Sequence, residues 1–269
     1  MRIAVVQLAY DDDEAAAARV ERVAALVAAL AGHDLVLLPE LWPAGGFAYR
    51  DWPGRAEGTD GSVAERMSQA ARAAGVLLHA GSIVERSAEP GPEGKHLWNT
   101  SLLFGPDGEQ LAAYRKIHRF GFGEGEPTLM EAGGDVVVVD LEVPSGERFR
   151  AGLSTCYDLR FPELYRRQVD AGATVFLVPA AWPAARVANW DLFTRARAVE
   201  DQCLVLAANT AGTHARTAMG GLSRVVLPTG ELVAAAGADR EQVLSVDVDL
   251  SIIEQTREQF PVLRDRRLF

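Results

Sequence analysis

The sequence has little cysteine, little lysine and no long apolar run, and each scarcity removes a class of protein. Cys156 and Cys203 are the only cysteines in 269 residues, too few for a disulfide framework or a four-cysteine zinc site. The histidines, His33, His79, His96, His118 and His214, show no ligand spacing, so no metal is expected. Nowhere do eighteen uncharged apolar residues run together, and no membrane span is expected. Residues 1–7 carry one charge and soon reach Asp11, Asp12 and Asp13, which describes a first strand rather than a signal peptide. The expected compartment is a reducing cytoplasm. Positive charge is also short. Lys and Arg total 27 against 37 Asp and Glu, a net charge of −10 without a basic run, which argues against a nucleic-acid partner. No Gly-x-Gly-x-x-Gly follows the first strand and no Gly-Lys-Ser/Thr loop occurs, so nothing supports nucleotide binding and no cofactor is expected.

What is present is a regular alternation. Strand-like runs at 3–8, 34–39, 76–84, 149–155, 173–179 and 203–209 are separated by helix-like runs at 14–30, 62–74, 162–171 and 192–201. The spacing predicts Ser62 as an N-cap with Glu65 completing a capping box. The second half resembles the first. Residues 35–43, ending Pro39-Glu40-Leu41-Trp42-Pro43, can be laid over 175–183, ending Pro179-Ala180-Ala181-Trp182-Pro183, and the turns at 104–109 and 226–231 also correspond. Strands that are apolar throughout must bury both faces. This implies one α/β domain over 1–269, built of two pseudo-repeated halves as two packed sheets with helices outside.

Three residues stand at informative places. Cys156 lies between a strand and a helix opened by Pro162, in a turn that exposes a side chain at a sheet edge and whose helix N-terminus favours thiolate over thiol. Cys203 sits in an apolar run and reads as core. Glu40 ends an otherwise apolar strand, where partial desolvation suits a general base. Lysine occurs only at Lys95 and Lys116, and Lys116 follows the strand run 110–114. Taken singly, each has an ordinary explanation: a buried small hydrophobe, a solvated strand end, a surface lysine.

Taken together, Leu38-Pro39-Glu40, Tyr114-Arg115-Lys116-Ile117-His118 and Cys156-Tyr157-Asp158-Leu159-Arg160-Phe161-Pro162-Glu163 resemble the three signature blocks of the nitrilase superfamily of carbon–nitrogen hydrolases, in the family's order. The resemblance runs from about residue 1 to the C-terminus, with supporting matches at Asn99-Thr100, Trp190, residues 195–200 and Pro261-Val262-Leu263-Arg264. It implies a four-layer α-β-β-α sandwich with a Glu40–Lys116–Cys156 site. Glu40 would act as base and Cys156 as nucleophile, with Lys116 and the backbone N–H of Tyr157 on the oxyanion. Of the family's second glutamate, Glu126 is the candidate, with Glu124 and Glu131 close by.

Residues 180–190 resemble the matching stretch of bacterial omega-amidases, which implies a small carboxylate-bearing amide as substrate and water as co-reactant. Arg186 would then pair with the carboxylate and Trp182 would wall an apolar pocket; a surface ion pair and core packing are their ordinary alternatives. Deaminated glutathione amidases, carbamoyl-amine hydrolases and nitrilases share the three residues. A Cys–His hydrolase using His118 or His214, or a non-catalytic module keeping the fold, are readings of other classes. The resemblance further implies a homodimer or larger homo-oligomer, with helix 162–171 and the tail, about 255–269, as candidate contacts.

Overall fold

Residues along the first strand alternate between two apolar sets. Ile3 and Val5 join a cluster with Leu177, Leu204 and Leu206, whereas Ala4, Val6 and Leu8 join one with Val23, Met67 and Ala71. A strand with two apolar faces needs a layer on each side. In the computed structural model, which describes residues 1–268, the chain runs β1 (Arg2–Ala9), α1 (Ala16–Ala28), β2 (Leu35–Leu37), α2 (Trp52–Arg55), α3 (Ser62–Ala74), β3 (Leu77–Arg86), β4 (Leu97–Phe104), β5 (Gln110–Arg115), α4 (Glu126–Leu129), β6 (Val138–Glu142) and β7 (Arg148–Leu153). It continues through α5 (Pro162–Asp170), β8 (Val175–Pro179), α6 (Val187–Asp201), β9 (Leu204–Ala208), β10 (Thr210–Ala211), β11 (Thr213–His214), β12 (Thr217–Ala218), β13 (Arg224–Val226), β14 (Leu232–Ala235), β15 (Gln242–Asp247) and α7 (Ser251–Gln259). Phe269, part of the tail expected at an oligomer contact, lies outside the described residues.

Two sheets result. In the first, β1, β2 and β3 are parallel, β4 and β5 follow antiparallel, and β15 runs antiparallel on the outer side of β1. In the second, β7, β8 and β9 are parallel, β13 and β14 follow antiparallel, and β6 runs antiparallel on the outer side of β7. The pseudo-repeat in the sequence is thus a repeat of topology, β1-β2-β3-β4-β5 against β7-β8-β9-β13-β14. Helices α1 and α3 cover the first sheet, and α5 and α6 the second. The four layers are α-β-β-α. After Ala208 the chain leaves the second sheet and pairs Thr210 and Ala211 with Leu8 and Ala9 of the first, tying the two together at the edge that carries the site.

The limits of α3 agree with expectation, and the other elements differ by up to five residues, most at α6, which begins five residues early at Val187. The expected Ser62 cap is a correction. Gly61 occupies the N-cap without a side-chain bond, and the Ser62 hydroxyl instead donates to Glu57 at 2.8 Å. Glu57 already accepts the Val63 amide at 2.7 Å, so a neighbouring loop carboxylate performs the capping. Among the described residues no helix is long and apolar enough to cross a membrane.

Two buried histidines make the fold acid-sensitive. Burial pushes His79 down to about 3, and burial together with the nearby Arg19 cation pushes His214 down to about 4. Below about pH 6.5 the unfolded chain binds protons there that the folded chain refuses, so stability falls as pH drops from 6.5 toward 4, by up to about 1.4 kcal/mol per pH unit for each histidine. His214→Phe, which keeps a ring against Tyr10, should flatten this slope by about one proton in urea unfolding followed from pH 7 to 4.5; an unchanged slope would contradict the assignment.

Candidate active site

The site lies where β2, β5, β7 and β8 end. β7 stops at Leu153, and the chain passes through Ser154 and Thr155 into a 3-10 turn, Cys156–Arg160. Cys156 has φ +47°, a left-handed conformation costing a side-chain-bearing residue about 1–2 kcal/mol. The cost is met by a reciprocal capping box. The Thr155 side chain bonds the Asp158 amide, and the Asp158 carboxylate accepts the Thr155 amide at 2.9 Å. Asp158, fully buried, also accepts the Tyr114 hydroxyl at 2.7 Å and the His118 amide at 2.9 Å. His118 Nδ1 sits 2.7 Å from the same carboxylate, and the ring stacks on Phe161 with centroids 3.7 Å apart. His118 therefore braces the Cys156 turn from behind. His214 stacks on Tyr10. Neither lines the cavity at Cys156, which leaves the Cys–His reading without geometry.

Glu40 sits at the carboxyl end of β2, on the bend Pro39-Glu40-Leu41. Leu41 has φ +46°, and its amide donates to the Ser82 hydroxyl at 3.0 Å. The bend fits because position 81 is glycine; a Cβ there would lie 1.9 Å from the Pro39 carbonyl oxygen. The repeat-related stretch closes over it from the other sheet. The Glu40 amide donates to the Ala180 carbonyl at 3.3 Å, and the Ala181 amide donates to Glu40 Oε2 at 2.9 Å. The two matching segments seen in the sequence thus meet face to face at the site.

Lys116 leaves β5 and is buried. Its Nζ donates to Glu40 Oε1 at 2.7 Å and to Glu126 Oε1 and Oε2 at 3.0 and 2.9 Å. Its backbone is clamped by Asn99 O at 2.9 Å and Gly133 N at 2.8 Å. Burial alone would pull the ammonium's pKa down, but the carboxylates of Glu126 and Glu40 outweigh it and hold it well above its ordinary value. Glu126, also buried, is raised by desolvation, opposed by Lys116. The Asn99 Nδ2 group bridges the carboxylates, donating to Glu40 Oε1 at 2.8 Å and Glu126 Oε1 at 2.5 Å. Glu131 is spent elsewhere, accepting the Glu93 and Lys95 amides at 2.9 and 2.8 Å, and Glu124 is exposed on the rim. Of the three glutamates, only Glu126 meets the lysine.

The expected helix-stabilised thiolate is not what the resting site favours. Burial first, then the Glu40 carboxylate beside it, hold the Cys156 thiol well above its ordinary pKa, with Lys116 opposing. One turn of 3-10 helix is too weak to offset these. Burial and the neighbouring carboxylate therefore favour a neutral S–H at Cys156 in the resting site. The Tyr157 amide, in the first turn, has no carbonyl partner among the described residues and is an orphan donor of the helix start. Among the described residues no cluster of His, Cys, Asp and Glu could hold a metal ion.

Beside Cys156 is a small cavity of about 20 Å³ lined by Phe47, Phe120, Tyr157, Arg160, Trp182 and Arg186, with Ala181 and Pro183. Trp182 is buried and its Nε1 donates to the Arg186 carbonyl at 2.8 Å. It both packs against Trp190 and walls the cavity. Arg186 is exposed at the rim with its guanidinium 5.4 Å from the Phe120 ring centre, and has no carboxylate partner among the described residues. Sequence reasoning gave no role to Arg160. This residue lies 5.1 Å from the ring centres of both Trp182 and Phe193, with Nη2 donating to Asn189 at 3.0 Å and likewise no carboxylate partner among the described residues. The available signal was its place one turn after the cysteine. For Asn99 it was a polar side chain in the apolar run of β4.

The geometry predicts opposite signs for two measurements on one variant. Removing the Glu40 charge in Glu40→Gln should lower the Cys156 pKa, read as faster iodoacetamide alkylation near neutral pH and a profile displaced to lower pH. The same variant should lose turnover. A profile displaced upward would show that Glu40 stabilises a resting thiolate instead.

A carbon–nitrogen hydrolase family model matches residues 2–258. A 2-oxoglutaramate amidase from Paenarthrobacter nicotinovorans is 41% identical over 267 residues, covering 98% of this chain and 89% of that protein. An omega-amidase of Homo sapiens is 35% identical over 251 residues, covering 89% and 85%. Among solved structures, a superfamily protein from Xanthomonas campestris carrying an arsenic adduct in its active site aligns with a TM-score of 0.87 at 29% identity, covering 100% of this chain and 97% of that one. An amidase from Nesterenkonia sp. AN1, solved with the acetamide moiety of fluoroacetamide on its active-site cysteine, aligns with a TM-score of 0.75 at 26% identity, covering 98% and 96%. On sequence and fold together, the chain belongs to the carbon–nitrogen hydrolase family.

Proposed function

We propose that the protein is an omega-amidase: it hydrolyses the terminal amide of a small carboxylate-bearing oxo acid to the diacid and ammonia. The observation that carries this reading is that two arginines, Arg160 and Arg186, lack carboxylate partners among the described residues and line the cavity that also holds Cys156. The 41% identity to a 2-oxoglutaramate amidase supports the same substrate class. Neither guanidinium is spent on an internal carboxylate, and a substrate carboxylate would engage one bidentately.

In this mechanism Glu40 takes the Cys156 proton as sulfur attacks the amide carbon. The C=O electrons move onto oxygen, and the oxyanion is held by Lys116 Nζ and the Tyr157 N–H. Glu40 then passes its proton to the amide nitrogen, the C–N bond breaks, ammonia leaves and a thioester to Cys156 remains. A water enters, Glu40 takes its proton as it attacks, and the collapsing intermediate returns the thiolate, which recovers that proton. Lys116 keeps its proton throughout, since Glu40 and Glu126 hold it ionised. Glu126 acts through Lys116, fixing where the positive charge lies.

The requirement for a free Cys156 thiol fits a cytoplasmic location. We further propose a homodimer through the α5–α6 face, supported by the exposed Leu192 and Val199, two turns apart on α6.

Ammonia release from 2-oxoglutaramate, 2-oxosuccinamate, deaminated glutathione, a carbamoyl amine and a nitrile tests the reading. The oxo-acid amides should dominate. Cys156→Ala should be inactive, and Arg160→Ala should lower kcat/KM for them about 10- to 100-fold, the worth of a charged hydrogen bond. Preference for another member would move the specificity, and activity retained in Cys156→Ala would overturn the mechanism.

A further inference from the structure

Adjoining the small cavity lies a wide bowl of about 860 Å³, far larger than a five-carbon amide needs. It shares Phe47, Phe120, Pro183 and Arg186 with the inner cavity. One wall is the β11–β12 hairpin, a two-residue turn in which Ala215 and Arg216 take φ +46° and +65°. Such turns ordinarily use Asn-Gly, so placing Ala and Arg there costs backbone energy.

The hairpin is rigidly built in spite of that cost. At its root the His214 ring stacks on Tyr10 at 3.7 Å, and the Arg19 guanidinium lies 3.9 Å from the Tyr10 ring centre. At its tip the Ala215 amide donates to both oxygens of Asp12, at 2.9 and 3.0 Å. Its return strand is bridged to Pro183 through Met219, and the Gly220 amide donates to the Trp182 carbonyl at 2.8 Å. The segment carrying Trp182 and Arg186 and the hairpin carrying Arg216 are therefore one connected wall.

The charges in this bowl oppose those of the whole chain. Arg19 is paired with Glu14 and Arg55 with Asp51, while Asp12 accepts the Ala215 amide and keeps its charge. That leaves Arg50, Arg186 and Arg216, none with a carboxylate partner among the described residues, against Asp12 and Glu124. A cationic concavity on a protein of net charge −10 concentrates anions at its mouth. We propose that Arg50 and Arg216, with Arg186, form an anion-collecting vestibule that selects carboxylate-bearing amides before they reach Cys156. The proposal rests on the substrate reading above and adds two residues that determine specificity by attraction, without touching the reacting atoms.

The test compares 2-oxoglutaramate with a neutral short-chain amide in the wild type and in an Arg50→Gln/Arg216→Gln double variant, at salt from about 20 to 300 mM. For wild type, kcat/KM on the anionic amide should fall several-fold with salt. In the double variant it should be about 3- to 10-fold lower at low salt and nearly independent of salt, with kcat and the neutral amide unaffected. Arg216→Lys should retain most of the effect. A double variant with wild-type kcat/KM and salt slope, or one that loses equally on both amides, overturns the vestibule alone. Wild-type enzyme that hydrolyses only the neutral amide overturns the substrate reading, and the vestibule with it.

Discussion

The site depends on one buried ammonium held between two buried carboxylates. Taking three charges out of water is expensive, and their mutual attraction repays the cost only where the remaining lone pairs also find donors. Here they do. Asn99 donates to both carboxylates, the Ala181 amide to Glu40, and the Phe120 amide to Glu126 at 2.5 Å. Each donor comes from a different segment, so Lys116 is the point at which both sheets, the β4 strand and the α4 loop are brought into register. Cys156 adds no charge to this arrangement at rest.

This division of charge explains the chemistry available. A thiolate at rest would add a third negative charge to a site whose one cation is already shared by two carboxylates. In the proposed mechanism a neutral thiol beside Glu40 delivers its proton only when sulfur attacks, and the negative charge then appears on an oxygen facing Lys116. The strained φ at Cys156 and Leu41 places the Cys156 thiol and the Glu40 carboxylate at two neighbouring bends, each over-determined by a hydrogen bond from behind. The arrangement therefore changes little in position while protons move, which is the condition for electrostatic stabilisation of an oxyanion.

Much of this was legible in the sequence, for definable reasons. Continuous apolar strands announced two covered sheets, and the match of 35–43 to 175–183 announced the repeat that faces Glu40 toward Ala181. The residues Glu40, Lys116 and Cys156 were visible as polar groups closing apolar strands. What the sequence could not carry was the outcome of competition. Ser62 looked like a cap, but the Glu57 carboxylate from a neighbouring loop was the stronger partner. The helix start at Cys156 looked activating, but burial and Glu40 outweigh it. Glu124, Glu126 and Glu131 are nearly equivalent in spacing, and only the fold of α4 separates them. Arg160 needed the stacking of Trp182 and Phe193 around it before its role could be read.

The central claim is that Lys116 holds the site together by neutralising two buried carboxylates, and chemical unfolding of a double-variant series tests it most directly. Lys116→Met should cost about 3–5 kcal/mol, the usual consequence of leaving buried charge unpaired. Adding Glu126→Gln to that variant should recover part of the loss while restoring no activity. A Lys116→Met protein as stable as wild type, or a double variant no more stable than the single one, would contradict the account.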